Sequence, residues 1–110
     1  MRVLMVSWEY PPVIVGGLGR HVHHLAVDLA GLGHDVTVIT RRPSGTDSLT
    51  HPTTDSRADG VRVIAIAEDP HEFQVGTDMM SWTLAMGHSF VRAGLRILAG
   101  APETAWVPDV

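Results

Sequence analysis

Two short runs, Val3-Leu4-Met5-Val6 and Val36-Thr37-Val38-Ile39-Thr40, flank a segment whose apolar residues recur at helical spacing: Leu18, Val22, Leu25, Leu29 and Leu32, widened by Ala26. Strand, amphipathic helix and strand in that order make a βαβ unit, and parallel strands joined in this way are covered by helices on both faces. The expectation is an α/β chain with a Rossmann-like, doubly wound, mostly parallel sheet. The spacing predicts strands over 2–7 and 35–40, and a helix over 18–32 that Gly33 ends from its C′ position.

Further along, residues 41–60 turn to Pro, Ser, Thr, Asp and Gly with almost no apolar side chains, which is long for a loop in a compact domain. A third strand is expected over 61–67, and the residues leave its direction relative to the second open. Asp69-Pro70-His71-Glu72-Phe73 reads as a turn-rich connection. A second helix is expected over 77–99, capped by Thr77 or Asp78. Met80, Leu84, Gly87, Val91, Leu95 and Leu98 form one stripe on it, and Met79, Met86, Phe90 and Ile97 form a second row, so this helix needs cover on two sides. Trp82, Met79 and Met80 read as core. Trp106-Val107-Pro108-Asp109-Val110 reads as the entry to a further strand. The expectation is that residues 1–110 are a truncated amino-terminal domain of a longer protein.

A length of 110 residues suits one domain with a real core. The formal charge of −4 argues against nucleic acid, because backbone binding needs many Lys and Arg. With no Cys there is no disulfide, thiolate metal site or catalytic thiol, which is compatible with a reducing, cytoplasmic setting. The first apolar run stops at Ser7 and Glu9, short of a signal peptide's apolar core, and His88, Arg92 and Arg96 interrupt the stretch over 79–98 that would otherwise approach a membrane span.

The segment Gly16-Gly17-Leu18-Gly19 opens the first helix after the rigid connection Trp8-Glu9-Tyr10-Pro11-Pro12. Glycine permits positive φ and close approach of a ligand, and the first-turn N–H groups of a helix carry partial positive charge. Gly16, Gly17 and Leu18 are therefore candidates for holding phosphate. A dinucleotide fingerprint G-x-G-x-x-G fails, since Val22 stands at the third glycine and residues 8–15 separate the loop from the strand. The Lys-Ser/Thr of a P-loop is also missing. Arg41-Arg42 at the end of the second strand keeps one dinucleotide feature, a place for the 2′-phosphate of NADP.

His21, in the first turns of the helix, is placed to touch a ligand held by the glycines. His21, His23 and His24 lack a nearby carboxylate or Cys to complete a tetrahedral metal set, so no metal is expected. His34 at the helix end suits the dipole. Glu9 lies beyond the carboxyl end of the first strand, where open parallel sheets bind ligands, and is a candidate to orient a sugar hydroxyl or simply an exposed loop carboxylate. Asp69, His71 and Glu72 offer acceptor contacts if the third strand is parallel.

Pro11-Pro12, Gly16-Gly17, His21-Val22, Leu25-Ala26, Leu29, Gly33-His34, Val36, Val38 and Thr40 together resemble the amino-terminal domain of GT-B glycosyltransferases of the glycogen-synthase-like and family 4 group. Asp69-Pro70-His71-Glu72-Phe73 and Thr83-Leu84-Ala85-Met86-Gly87-His88 resemble, more loosely, the actinobacterial α-glucosyltransferases that build α-1,4-glucans and methylglucose polysaccharides. The resemblance implies two Rossmann-like domains across a cleft, the acceptor on the first and the nucleotide sugar mainly on the second, with this chain as the acceptor-side domain and the carboxy-terminal domain as its partner. It implies a retaining transfer of glucose from UDP-glucose or ADP-glucose to a glucan, glycolipid or methylglucose polysaccharide, with no cofactor or metal. Gly16, Gly17 and Leu18 would meet the donor diphosphate and transferring sugar, and Glu9, Tyr10, His21, Asp69 and His71 the acceptor or sugar. The full-length protein could associate peripherally with a membrane.

The pattern departs from glycogen synthases proper, whose Lys-x-Gly-Gly is here occupied by Ile14, and this favours the family 4 branch. The family's catalytic His would lie beyond Val110 and its diphosphate-binding Arg, Lys and Glu in the second domain, so no catalytic residue is expected in this segment, which alone would be inactive. The alternatives are an NADP-type Rossmann or other non-catalytic interaction module, and a regulatory carbohydrate-binding protein.

Overall fold

The computed structural model describes residues 1–13, 16–42, 49–67, 79–100 and 105–110. The elements are β1 (Arg2–Val6), α1 (Gly17–Gly31), β2 (Asp35–Arg41), β3 (Thr54–Ala58), β4 (Val61–Ile66) and α2 (Met79–Ala99). They form a four-stranded sheet in the order β1-β2-β4-β3. β1, β2 and β4 run parallel, with Val3 opposite Val36 and Val38 opposite Val63. The third expected strand is thus β4, parallel to β2, and β3 returns antiparallel along its outer edge.

Strand alternation sends successive side chains to opposite faces. On one face Val36, Val38 and Val61 pack with Val22 and Ala26 of α1, and on the other Ile39, Ile64 and Ile66 pack with Met86, Phe90 and Leu98 of α2. One helix per face is the doubly wound arrangement expected. Val36, Val38, Val61 and Ile64 have no exposed surface, and burial of each contributes about 1.5–3 kcal/mol.

α1 stops for a local reason. Gly33 takes φ +95°, its N–H donates to the Ala30 carbonyl at 3.0 Å, and the His34 N–H donates to the Leu29 carbonyl at 3.2 Å. That pair of bonds is a Schellman motif, which satisfies two of the carbonyls the helix end would leave bare.

Within the segment read as a loop, residues 54–58 are a strand. Its side chains are polar and mostly exposed, so no apolar alternation marks it. The mark lay in Asp59-Gly60 ahead of an apolar run: φ is +53° at Asp59 and +79° at Gly60, two consecutive left-handed residues that suit the tight type I′ hairpin. Across the hairpin the Arg62 guanidinium donates to both Asp55 carboxylate oxygens, at 2.9 and 2.7 Å. This offsets the like charge of Arg57, which stands directly opposite Arg62.

The apolar face of α2 divides differently from the expected stripe. Met86, Phe90 and Leu98 are buried, whereas Leu84, Val91 and Leu95 are exposed, because the sheet covers only one side of the helix. The helix sits close: a Cβ on Gly94 would stand 2.8 Å from Ile39 Cδ1. After α2, Trp106 donates through Nε1 to Asp35 at 2.8 Å. The Asp109 N–H then donates to the Arg2 carbonyl and the Leu4 N–H to the Val110 carbonyl, both at 2.8 Å. Residues 109 and 110 thereby begin to pair along the outer edge of β1, the strand entry read from Pro108-Asp109-Val110.

Candidate functional site

The parallel strands bring their carboxyl ends to one edge, where doubly wound sheets take ligands. At the end of β1, Ser7 is nearly buried and its N–H donates to the Ile39 carbonyl at 3.0 Å. Its hydroxyl then organises the turn, donating to the Glu9 carbonyl at 2.7 Å and accepting from the Glu9 N–H at 3.3 Å. Trp8 leans on Phe90 of α2 with ring centroids 5.1 Å apart. The connection is fastened to both faces of the sheet.

Tyr10 is 4% exposed and joins the core of Val22, Ala26, Val36 and Val38. Its ring meets the edge of His23 at 5.4 Å, and the Val13 N–H donates to its carbonyl at 2.8 Å. Burial, with Asp59 adding a smaller push, raises its phenol above the ordinary tyrosine range. Among the described sugar-contact candidates Glu9, Tyr10 and His21, Tyr10 is thus the one whose side chain is mostly committed to packing.

Gly16 caps α1 with φ −144° and ψ −154°, and no side chain caps the helix. Neither Gly16 nor Gly17 is among the positive-φ residues, so the expected left-handed backbone is not used here. What the glycines do provide is room: a Cβ at either position would meet nothing within 4 Å. The Gly16 N–H donates to Glu9 Oε1 at 2.9 Å. Glu9 therefore already places a carboxylate at the positive end of the helix, whose first turn holds no acidic residue of its own.

Leu18 and His21 are exposed, and His21 stands one turn after Gly17 on the same side of the helix, away from the buried Val22 and Ala26. Gly16, Gly17, Leu18, Glu9 and His21 are thus brought together around one helix end. Asp69 and His71 lie outside the described residues, as do Thr77 and Asp78. Among the described residues no group of three or more His, Cys, Asp or Glu could hold a metal, and no helix is long and apolar enough to cross a membrane.

Two contributors were not singled out from the sequence. Ser7 has no motif, although a small hydroxyl residue at a strand end commonly turns the chain by bonding its own backbone. His23 reads from the sequence only as a metal-ligand candidate, whereas it packs on Tyr10 and lies 3.7 Å from Asp59.

A mostly parallel sheet with helices on both faces and a glycine-opened helix at its carboxyl edge defines a Rossmann-like α/β domain. Residues 2–103 match the starch synthase catalytic domain family, and the chain belongs to it. Over all 110 residues it is 64% identical to proteins named glycogen synthase in two strains of Mycobacterium tuberculosis, CDC 1551 / Oshkosh and H37Rv. The match covers 27% of those relatives, so the chain spans about a quarter of their length. A 40-residue stretch, 36% of the chain, is 58% identical to 10% of an uncharacterized glycosyltransferase of Methanocaldococcus jannaschii. The chain is a glycogen-synthase-like amino-terminal region.

Proposed function

We propose that residues 1–110 are the acceptor-side Rossmann-like domain of a retaining glycosyltransferase that moves glucose from UDP-glucose or ADP-glucose to an α-1,4-glucan or a glycolipid or methylglucose polysaccharide acceptor. The α1 terminus at Gly16, Gly17 and Leu18 carries this reading, with the Gly16 N–H held by Glu9 and the first-turn N–H groups of Gly17 and Leu18 left for the donor. First-turn main-chain N–H groups at a positive helix terminus suit the donor diphosphate, and they favour charge that grows on the leaving phosphate as the bond to the sugar breaks. The acceptor hydroxyl oxygen forms the new bond to the anomeric carbon, and its proton passes to the departing phosphate oxygen. Glu9 and His21 flank this end, and with Tyr10 they serve the acceptor side; Asp69 and His71 are assigned to the acceptor from the sequence alone. Neither a metal nor a cofactor takes part, and the nucleotide-sugar domain is the chain's own partner.

The test is an assay of the full-length protein with labelled UDP-glucose and ADP-glucose against glycogen and short maltooligosaccharides. Incorporation of label in α-linkage is expected with one donor preferred. Absence of transfer from both, together with saturable binding of NADPH, would replace this reading with the dinucleotide module.

A further inference from the structure

A cavity of about 230 Å³ lies on the α1 face of the sheet, between residues 10–13 and the β2-β4-β3 ladder. Tyr10, Pro12 and Val63 give it an apolar wall, while Thr40, Arg42 and Ser56 bring polar groups to it. Thr40 is 2% exposed, and its buried hydroxyl oxygen has no hydrogen-bond partner. Arg42 Nε is likewise buried and unbonded, although the Arg42 backbone N–H is fixed to the Ile66 carbonyl at 2.9 Å. Buried polar groups ordinarily find partners, and leaving one unmade costs about 1–3 kcal/mol. Thr40 and Arg42 both line the cavity, and an unpartnered hydroxyl beside a permanently charged guanidinium is an arrangement that an acceptor from outside would complete.

We infer that this cavity is an oxyanion site, taking a phosphate or phosphate-monoester group between Arg42 and Thr40. The volume is below the roughly 300–1,000 Å³ of pockets that hold drug-sized ligands, which selects a small anion over a nucleotide. Asp59 is the opposing charge, and it sits at the rim with its side chain 66% exposed and His23 at 3.7 Å. A guanidinium and a hydroxyl donating together to one oxyanion form charge-assisted bonds, the stronger kind. The site is separate from the helix end assigned to the donor and does not depend on that assignment.

The test is calorimetric titration of the full-length protein with orthophosphate at ionic strength held constant with chloride, repeated with glycerol phosphate, on wild type, Arg42→Gln and Thr40→Val. Saturable binding is expected, weakened about tenfold or more by Arg42→Gln, as befits loss of a charged hydrogen bond. Thr40→Val should weaken it too, while raising Tm without anion, since the unpartnered hydroxyl is gone. Tighter binding of orthophosphate assigns the cavity to the free anion, and tighter binding of the ester assigns it to a monoester. No saturable binding by wild type, or binding that Gly17→Ala removes and both cavity variants leave intact, would overturn the inference.

Discussion

Gly17→Ala separates a glycine kept for a ligand from a glycine kept for the fold. Gly17 is the first residue of α1, its φ is not positive, and an added methyl meets nothing within 4 Å. The folded chain therefore has no objection to alanine. Alanine is better than glycine in helices by up to about 1 kcal/mol, less in the first turn, and 1 kcal/mol corresponds to a Tm change of no more than about 2–4 °C in a full-length chain of more than about 150 residues. A small rise in Tm is expected. The donor sees the opposite: phosphate oxygens reaching the first-turn amides pass close to the new methyl, and loss of one such electrostatic contact typically lowers kcat by about 10²–10³-fold. Thermal denaturation and glucosyl transfer are to be measured on the same full-length preparation. An unchanged kcat/KM beside a raised Tm would refute the ligand role, and a Tm lowered by several degrees would make Gly17 a structural residue.

Three further outcomes follow from the geometry. Tyr10 is the one tyrosine of the chain, so phenolate absorbance reads it directly: its midpoint should lie above 10 in the folded protein and return to about 10 in denaturant. Because the folded value is raised, this contribution to stability is present at neutral pH and lost as pH climbs above the unfolded value, and a native midpoint at or below 10 would contradict the burial. The Asp55 carboxylate is held below the ordinary aspartate range by its hydrogen bonds to Arg62, with partial burial opposing. Its stabilisation is present above about pH 4 and fades as pH falls through the depressed value, so the Tm gap between wild type and Asp55→Asn should close in acid; exposure keeps that gap small, below about 1 kcal/mol. Gly33→Ala forces a Cβ into a left-handed conformation and should cost about 1–2 kcal/mol in urea denaturation, although space around it is open. A neutral result would mean that the Schellman turn relaxes freely.

The βαβ unit was legible because its signals are local. Apolar runs mark β1 and β2, a repeat of apolar residues at helical spacing marks α1, and Gly33 stands where the left-handed turn falls. β3 was not, since Thr54-Asp55-Ser56-Arg57-Ala58 pairs through its backbone along an exposed edge and buries almost nothing. α2 was found but oriented less well. Two apolar rows compete on it, and only tertiary packing chose Met86 and Phe90 over Val91 and Leu95. At the site, room around Gly16 and Gly17 followed from residue type, whereas the Glu9 to Gly16 bond joins positions seven apart and depends on the course of the connection. The cavity at Thr40 and Arg42 needs β2, β3 and the Tyr10 turn at once, and no spacing in the chain announces that meeting.

The account rests on the α1 terminus receiving the donor diphosphate. Amide hydrogen exchange resolved to Gly17 and Leu18, in the full-length protein with and without saturating nucleotide-glucose, addresses this directly. Marked slowing at these two amides on adding donor is predicted. Exchange there that stays at its unliganded rate, while glucosyl transfer proceeds, would contradict it.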